Sequence, residues 1–293
     1  MATVQTAKKM MLGREIEHML SEAGKTPSEL AAILSTSRSR VQQILDGKAS
    51  LSIGDLERLA NQLGFTDPGY HETLFELRKD SHKRGYWNTG YRRAYSEELR
   101  VRVDIESHAD RIREWEVEIP PGLTQPPRFV RALYAGVPES SGLTLEDRIE
   151  ARTARQAIFD KPNPPVAHFV MSESCLRRVW RDEETKIDLL KHMIALSQRE
   201  NIFMQVLPFD QPVGRRVAIG NRFTLLRLPT AGVAGPLELA YTEGPEEFRY
   251  LDDKKALDAY DSAWTRLTSA ALGFEETRRF LRAMIAESGE TSH

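Results

Sequence analysis

Residues 26–47, TPSELAAILSTSRSRVQQILDG, decide the fold of the amino-terminal part of this chain. Thr26 is suited to an N-cap, Pro27 to the first helical position, and Glu29 three residues on completes a capping box. Leu30, Ala31 and Leu34 recur at helical spacing, and Ala31 is small enough to let a second helix come close. Ser37 caps that second helix, whose buried face is Val41, Ile44 and Leu45. Gly47 stands where a helix end favours positive φ. The pattern predicts two short helices joined by a tight turn, with Arg38, Ser39, Gln42 and Gln43 left on or near the outward face.

Guanidinium, hydroxyl and amide groups are the types that hydrogen-bond base edges and phosphates in a major groove. The segment therefore reads as a helix-turn-helix, with double-stranded DNA as its partner. An ordinary helical hairpin with a polar surface is the plainer alternative, and the agreement of caps, turn and polar face argues against it. Residues 12–20 predict an amphipathic first helix that ends before Gly24. Residues 52–63 predict another, with Ile53, Leu56, Leu59 and Leu63 inward and Gly64 as its stop. Asp67 and Pro68 open a further helix carrying Leu74 and Leu77. Five short helices in about 70 residues suffice for a small independent core.

This arrangement resembles the DNA-binding domain of the phage-repressor and Cro-like proteins, often called the xenobiotic-response-element (XRE) family. The resemblance implies that Arg38, Ser39 and Gln43 read bases while Thr26, Ser28 and Arg40 meet phosphates. Ser37, Gln42 and Lys48 complete the expected DNA-facing set. Two positions depart from the family. Ser35 stands where a turn glycine is usual, and a left-handed Ser costs about 1–2 kcal/mol. Leu45 replaces the usual Glu before Asp46 and Gly47.

Charge refines the expectation. The chain holds 41 Lys and Arg against 43 Asp and Glu, and residues 1–80 carry ten basic against eleven acidic side chains. A polycation gripping DNA by field alone is excluded. Residues 81–102 differ, because Lys83, Arg84, Arg92, Arg93, Arg100 and Arg102 oppose only Glu97 and Glu98, with Tyr86, Trp87, Tyr91 and Tyr95 interleaved. Such a connector either adds a phosphate contact beside the recognition helix or packs its rings onto a neighbouring domain or second subunit. Dense aromatics favour the packing reading.

The 293 residues, 40% of them hydrophobic, suggest one small domain and one of conventional size. The expected division is 1–80 for the helix-turn-helix domain, 81–102 for the basic aromatic connector and 103–293 for the carboxy-terminal domain. No apolar run approaches 18 residues, and no basic start precedes an apolar stretch, which speaks against membrane spanning and secretion. Cys175 is the only cysteine, so an internal disulfide is impossible, in keeping with a cytoplasmic location.

Beyond residue 99 the pattern changes. Helices are expected at 103–115, 129–135, 146–159, 182–199, 254–272 and 275–287, and an ordered turn at residues 119–125, IPPGLTQ. Apolar segments with strand chemistry lie at 166–171, 202–207, 222–228 and 237–242. Overall the fold class is α+β: an all-α five-helix domain followed by a mixed α/β domain. The runs Pro121-Gly122-Leu123-Thr124-Gln125 and Phe129-Val130-Arg131-Ala132-Leu133 resemble a signature of actinobacterial regulators. In these a Cro-like domain precedes a large domain of unknown function (DUF5753). The likeness continues collinearly through Glu106-Ser107-His108-Ala109, Glu173 to Leu176, Val206-Leu207-Pro208-Phe209, Tyr241-Thr242-Glu243 and Tyr250-Leu251-Asp252-Asp253. Thr124 and Pro126 depart from that pattern. The resemblance implies transcriptional regulation and a small partner protein encoded nearby, as in toxin–antitoxin pairs.

Glu106, Glu173 and Glu243 invite the idea of a metal or acid–base site. Ordinary ion pairing is the plainer reading in a chain that is 29% charged. Seven scattered histidines without HExxH, and the absence of a GxSxG elbow, phosphate loop or dinucleotide glycine pattern, point away from an enzyme. No catalytic residue, metal or cofactor is expected, and Cys175 reads as a buried, inert thiol. The first functional reading is a sequence-specific regulator whose carboxy-terminal domain senses a small partner protein. The alternative is a small-molecule effector pocket around Val206, Phe223 and Tyr241, with Glu173 or Glu243 fixing a polar group. An enzyme fused to a DNA-binding domain is the weakest reading. Helix-turn-helix geometry further suggests a homodimer on a pseudo-palindromic operator.

Overall fold

Alternation of capped helical stretches with one block of strand-forming sequence divides the chain, and the computed structural model places these parts in two compact units. It describes residues 5–80, 94–137, 143–178, 182–210, 221–229, 232–244 and 247–290. One unit comprises Met1–Ala109 with Leu228–Leu237, the other Asp110–Arg227 with Glu238–His293.

The first unit is helical: α1 (Ala7–Glu22), α2 (Pro27–Ile33), α3 (Arg38–Leu45), α4 (Ile53–Gln62), α5 (Pro68–Asp80) and α6 (Glu97–His108). Leu12, Ile16, Met19, Leu30, Val41, Ile44, Leu56, Leu59 and Leu74 form its core. The inward stripe of α4 is Leu56, Leu59 and Ala60, whereas Ile53, expected inward, is 49% exposed at the first position of the helix. Gly47 takes φ 68°, as its place after α3 requires. Helix α6 joins this unit through a buried carboxylate, Asp104, whose Oδ2 accepts from the Ala7 amide at 2.7 Å. Burial raises the Asp104 carboxyl pKa, and the Ala7 amide works against that shift.

Only residues 94–102 of the expected connector are described. Residues 81–93, including Arg92 and Arg93, lie outside the described residues. Ser96 caps α6 by accepting from the Leu99 amide at 3.3 Å. Tyr95 is buried, and Arg102 forms a buried ion pair with Glu106 at 3.2 Å. The helix expected over 103–115 begins earlier and stops at His108, where Ala109 turns to extended backbone (φ −72°, ψ 143°). The remainder is a strand.

The second unit is built on a six-stranded mixed sheet of β1 (Arg111–Glu116), β2 (Val166–Ser172), β3 (Ile202–Leu207), β4 (Phe223–Leu228), β5 (Leu237–Glu243) and β6 (Phe248–Leu251). Their order across the sheet is β3-β2-β1-β4-β5-β6. Strand β1 runs parallel to β2, Ile112 opposite Ala167, and antiparallel to β4, Ile112 opposite Leu226. Strand β2 is in turn parallel to β3, and β5 antiparallel to β6. Around them lie α7 (Pro127–Leu133), α8 (Leu145–Gln156), α9 (Ser174–Arg177), α10 (Glu183–Leu196), α11 (Lys254–Ala270) and α12 (Phe274–Glu290). Trp115, Val170, Phe223, Leu225 and Ala240 pack against Ala263, Trp264 and Leu267 of α11. Side chains alternate along a strand, so Phe169 faces the other way and meets Phe159 edge-on at 6.4 Å. The expected turn before α7 is a 3-10 turn at Gly122–Thr124.

Candidate nucleic-acid interface

Local hydrogen bonding shapes the DNA-facing surface. Thr26 Oγ1 accepts from the Glu29 amide at 3.3 Å, and Glu29 Oε2 accepts from the Thr26 amide at 2.9 Å. This reciprocal capping box fixes the start of α2. Lys25 Nζ lies 2.9 Å from Glu29 Oε1. The Lys25 and Thr26 donors hold the Glu29 carboxyl at about 2, below its usual 4.5. The chain then turns through Ser35 at φ 49°, the one described non-glycine residue with positive φ. Ser37 Oγ accepts from the Arg40 amide at 3.1 Å and opens α3.

Val41 and Ile44 anchor α3 in the core, with Leu45 half-buried beside them. Arg38, Ser39, Arg40 and Gln42 are exposed, and Gln43 is half-buried. Thr26, Ser28, Ser37 and Lys48 are exposed as well. The nine residues expected at DNA therefore sit on α2, α3 and the turns next to them, and eight of the nine are exposed. Arg40 Nη2 donates to the Ser50 carbonyl at 3.3 Å, which ties one guanidinium to the turn after α3. Chemically, this surface offers hydroxyls and amides for base edges, and cationic heads for phosphate oxygens.

Asp46 was not among the expected residues. Its Oδ1 accepts from Gln42 Nε2 at 2.7 Å and its Oδ2 from Lys48 Nζ at 3.0 Å. The four-residue spacing of Gln42 and Asp46 is the sequence signal that pointed to this contact. Gln42 thereby spends one amide N–H on Asp46, which leaves its oxygen and its second N–H for an incoming ligand.

The carboxy-terminal candidates are engaged locally. Glu106 belongs to the helical unit, paired with Arg102, while Glu173 and Glu243 belong to the sheet unit. Glu173 accepts from the Phe209 amide at 2.8 Å and from Arg177 Nε at 2.7 Å, stitching the end of β2 to the exit of β3. Glu243 accepts from the Tyr241 hydroxyl at 2.9 Å and pairs with Arg222 at 2.7 Å. Phe223, Tyr241 and Val206 are core side chains. Cys175 is buried, and burial together with Glu116 and Glu118 raises its thiol pKa. Among the described residues, no group of three or more His, Cys, Asp or Glu is placed to hold a metal ion.

A different feature marks the sheet unit. A groove of about 380 Å³ is lined by Arg111, Arg113, Arg227, Glu238, Asp258 and Asp261, with Leu225, Leu239 and Leu257 among its apolar members. Its three arginines are ion-paired: Arg111 with Glu238 at 3.1 Å, Arg113 with Asp261 at 2.6 Å, and Arg227 with Asp110, outside the lining, at 2.7 Å.

A boxed α2, a tight turn and a buried-backed polar α3 define a DNA-binding protein of the helix-turn-helix class. Residues 11–71 match the model of a helix-turn-helix domain. Residues 99–283 match the model of a domain of unknown function, DUF5753. This second match spans more than half of the chain, which belongs to the DUF5753 family. No curated protein and no solved structure matches it. No helix among the described residues is long and apolar enough to cross a membrane. The DUF5753 match begins inside the stretch up to Ala109 that packs with the helical unit, and it contains residues 228–237 of that unit too.

Proposed function

We propose that this protein is a sequence-specific transcriptional regulator that inserts α3 into the major groove and reads it with Arg38, Ser39 and Gln43. The single observation that carries this reading is the division of α3 between a buried Val41–Ile44 seam and an exposed Arg38–Ser39–Gln42 face. Thr26, Ser28, Ser37, Arg40 and Lys48 surround that face and serve the phosphates. The protein acts in the cytoplasm as a homodimer, each copy supplying one head to a pseudo-palindromic operator with half-sites about one helical turn apart. It has no catalytic step. Selection of bound DNA fragments followed by sequencing tests the reading. The expected result is one enriched motif with two-fold symmetry, and the absence of any enriched motif would remove it.

The carboxy-terminal domain answers to a small partner protein. The ion-paired groove supports this, because small-molecule pockets are mostly apolar with few polar groups, whereas this one is rimmed by opposed charges. Its volume favours a second reading, an effector of metabolite size. Native mass spectrometry separates the two: a retained metabolite supports the effector, and a stoichiometric complex with a small protein encoded nearby supports the partner.

A further inference from the structure

Glu15 lies midway along α1 between Leu12, Ile16 and Met19, on the face that builds the helical core, and it is 0% exposed. A carboxylate in such a place requires hydrogen-bond donors. The Tyr70 hydroxyl of α5 supplies one at 2.9 Å to Oε2. The main-chain amides of Val233 and Ala234 donate to the same oxygen at 3.1 and 3.2 Å. These amides come from a segment 218 and 219 positions further along the chain.

The segment is held by polar contact rather than by an apolar anchor at its tip, because the Val233 side chain is 56% exposed. Gly232 makes the close approach possible. A Cβ there would fall 2.2 Å from the Glu15 carboxyl carbon, so any other residue would force the segment and the carboxylate apart, by a shift of one or the other. Residues 228–237 are counted with the helices, yet Leu228 ends β4 and Leu237 opens β5. The chain therefore leaves the sheet, reaches Glu15 and returns. The contact lies within the helical unit, whose 228–237 segment is continuous in sequence with strands β4 and β5.

We infer that Glu15 is a positioning residue for operator binding, a receptor that clasps the 232–234 backbone and so limits the freedom of the DNA-binding head. The inference rests on the paired-head reading proposed above. When a head is tied at more points, its partner half-site is met at a higher effective concentration. Glu15 itself touches no DNA, so its removal acts on the full operator and not on a single half-site.

Two variants test this independently. Glu15→Leu removes both acceptor oxygens from the Tyr70, Val233 and Ala234 donors, and Gly232→Ala sets a methyl against the carboxyl without altering any helix. Amide exchange at Val233 and Ala234 is measured in the DNA-free protein, and affinity is measured for a full operator and for an isolated half-site. The expected result is faster exchange in both variants and a loss of about tenfold in affinity for the full site, with half-site affinity kept within about twofold. Unchanged exchange in Gly232→Ala would overturn the clasp. Faster exchange with an unchanged ratio of full-site to half-site affinity would overturn the positioning role. Equal wild-type affinity for the two DNAs would instead remove the paired-head reading, and this role with it, while slow exchange at Val233 and Ala234 would still show a bound segment.

Discussion

On α3, Arg38, Ser39 and Gln42 stand outside a seam of Val41 and Ile44, whereas in the sheet unit Glu173, Glu243 and Phe223 are turned onto their own chain. Both regions hold residues whose chemistry suits a site. The difference lies in what surrounds them. A helix with one narrow buried seam leaves its polar arc to solvent. In the sheet unit Phe223 packs into the core, and Glu173 and Glu243 take their donors from neighbouring parts of the same chain. The polar arc of α3 is thus left exposed, whereas these three side chains of the sheet unit are engaged locally.

The largest expected effect tests the scaffold half of that contrast. Phe169 is fully buried on β2 against Phe159. Phe169→Ala is expected to lower stability by about 3–5 kcal/mol in chemical denaturation. A loss below about 1 kcal/mol would show a sheet core able to collapse around the gap. Arg38→Ala tests the other half. It is expected to weaken operator binding by about 1–3 kcal/mol and to relax preference at one base pair, with stability unchanged. Arg40→Ala is expected to weaken all sequences alike and to reduce the salt slope by about one. Full affinity in both variants would break the assignment of α3.

What could be read from the sequence follows the same division. The box at Thr26/Glu29, the Ser37 cap and the positive φ at Ser35 and Gly47 are local devices, and each appears as its residues predict. Strands β2 to β5 were legible as apolar runs. Strand β1 was not, because RIREWE carries four charges in six residues and reads as the end of a charged helix. Its Glu114 and Glu116 are buried in the sheet, Glu116 with Arg222 at 3.9 Å, a placement that no local pattern announces. No Gly or Pro marks the break after His108, so the helix appeared to run on. Strand β6 is short and mostly half-exposed, with little periodicity to reveal it. At the site, the α3 face was legible from helical spacing. The Glu15 clasp joins residues over 200 positions apart through main-chain amides, which carry no side-chain signature.

Caps sharpen the contrast at smaller magnitude. Ser37→Ala is expected to cost about 1 kcal/mol of stability by leaving the Arg40 amide without its acceptor, and to weaken operator binding because the reading end of α3 frays. Thr144→Ala removes the equivalent acceptor from α8, at 3.1 Å from the Asp147 amide. It should cost a similar amount, about 1 kcal/mol, while operator affinity stays at the wild-type level. Equal effects of both variants on DNA binding would break the separation between reading helix and scaffold.

The smallest expected effect concerns pH at the start of α2. The Lys25 and Thr26 donors depress the Glu29 carboxyl to about 2, from an ordinary 4.5. A depressed carboxylate favours the folded state at pH values above its unfolded pKa, and that contribution fades as pH falls toward the folded value. The box is therefore expected to hold fully above about pH 4.5 and to weaken progressively down to about pH 2, by a modest amount because the group is exposed and screened. Carboxyl-carbon NMR of Glu29 checks it directly, with an expected midpoint near 2 that rises in Lys25→Ala. A midpoint at the ordinary value of 4.5 would mean that the Thr26–Glu29 box is open in solution, and the entry of α2 would then owe its geometry to Pro27 and the buried Leu30 instead.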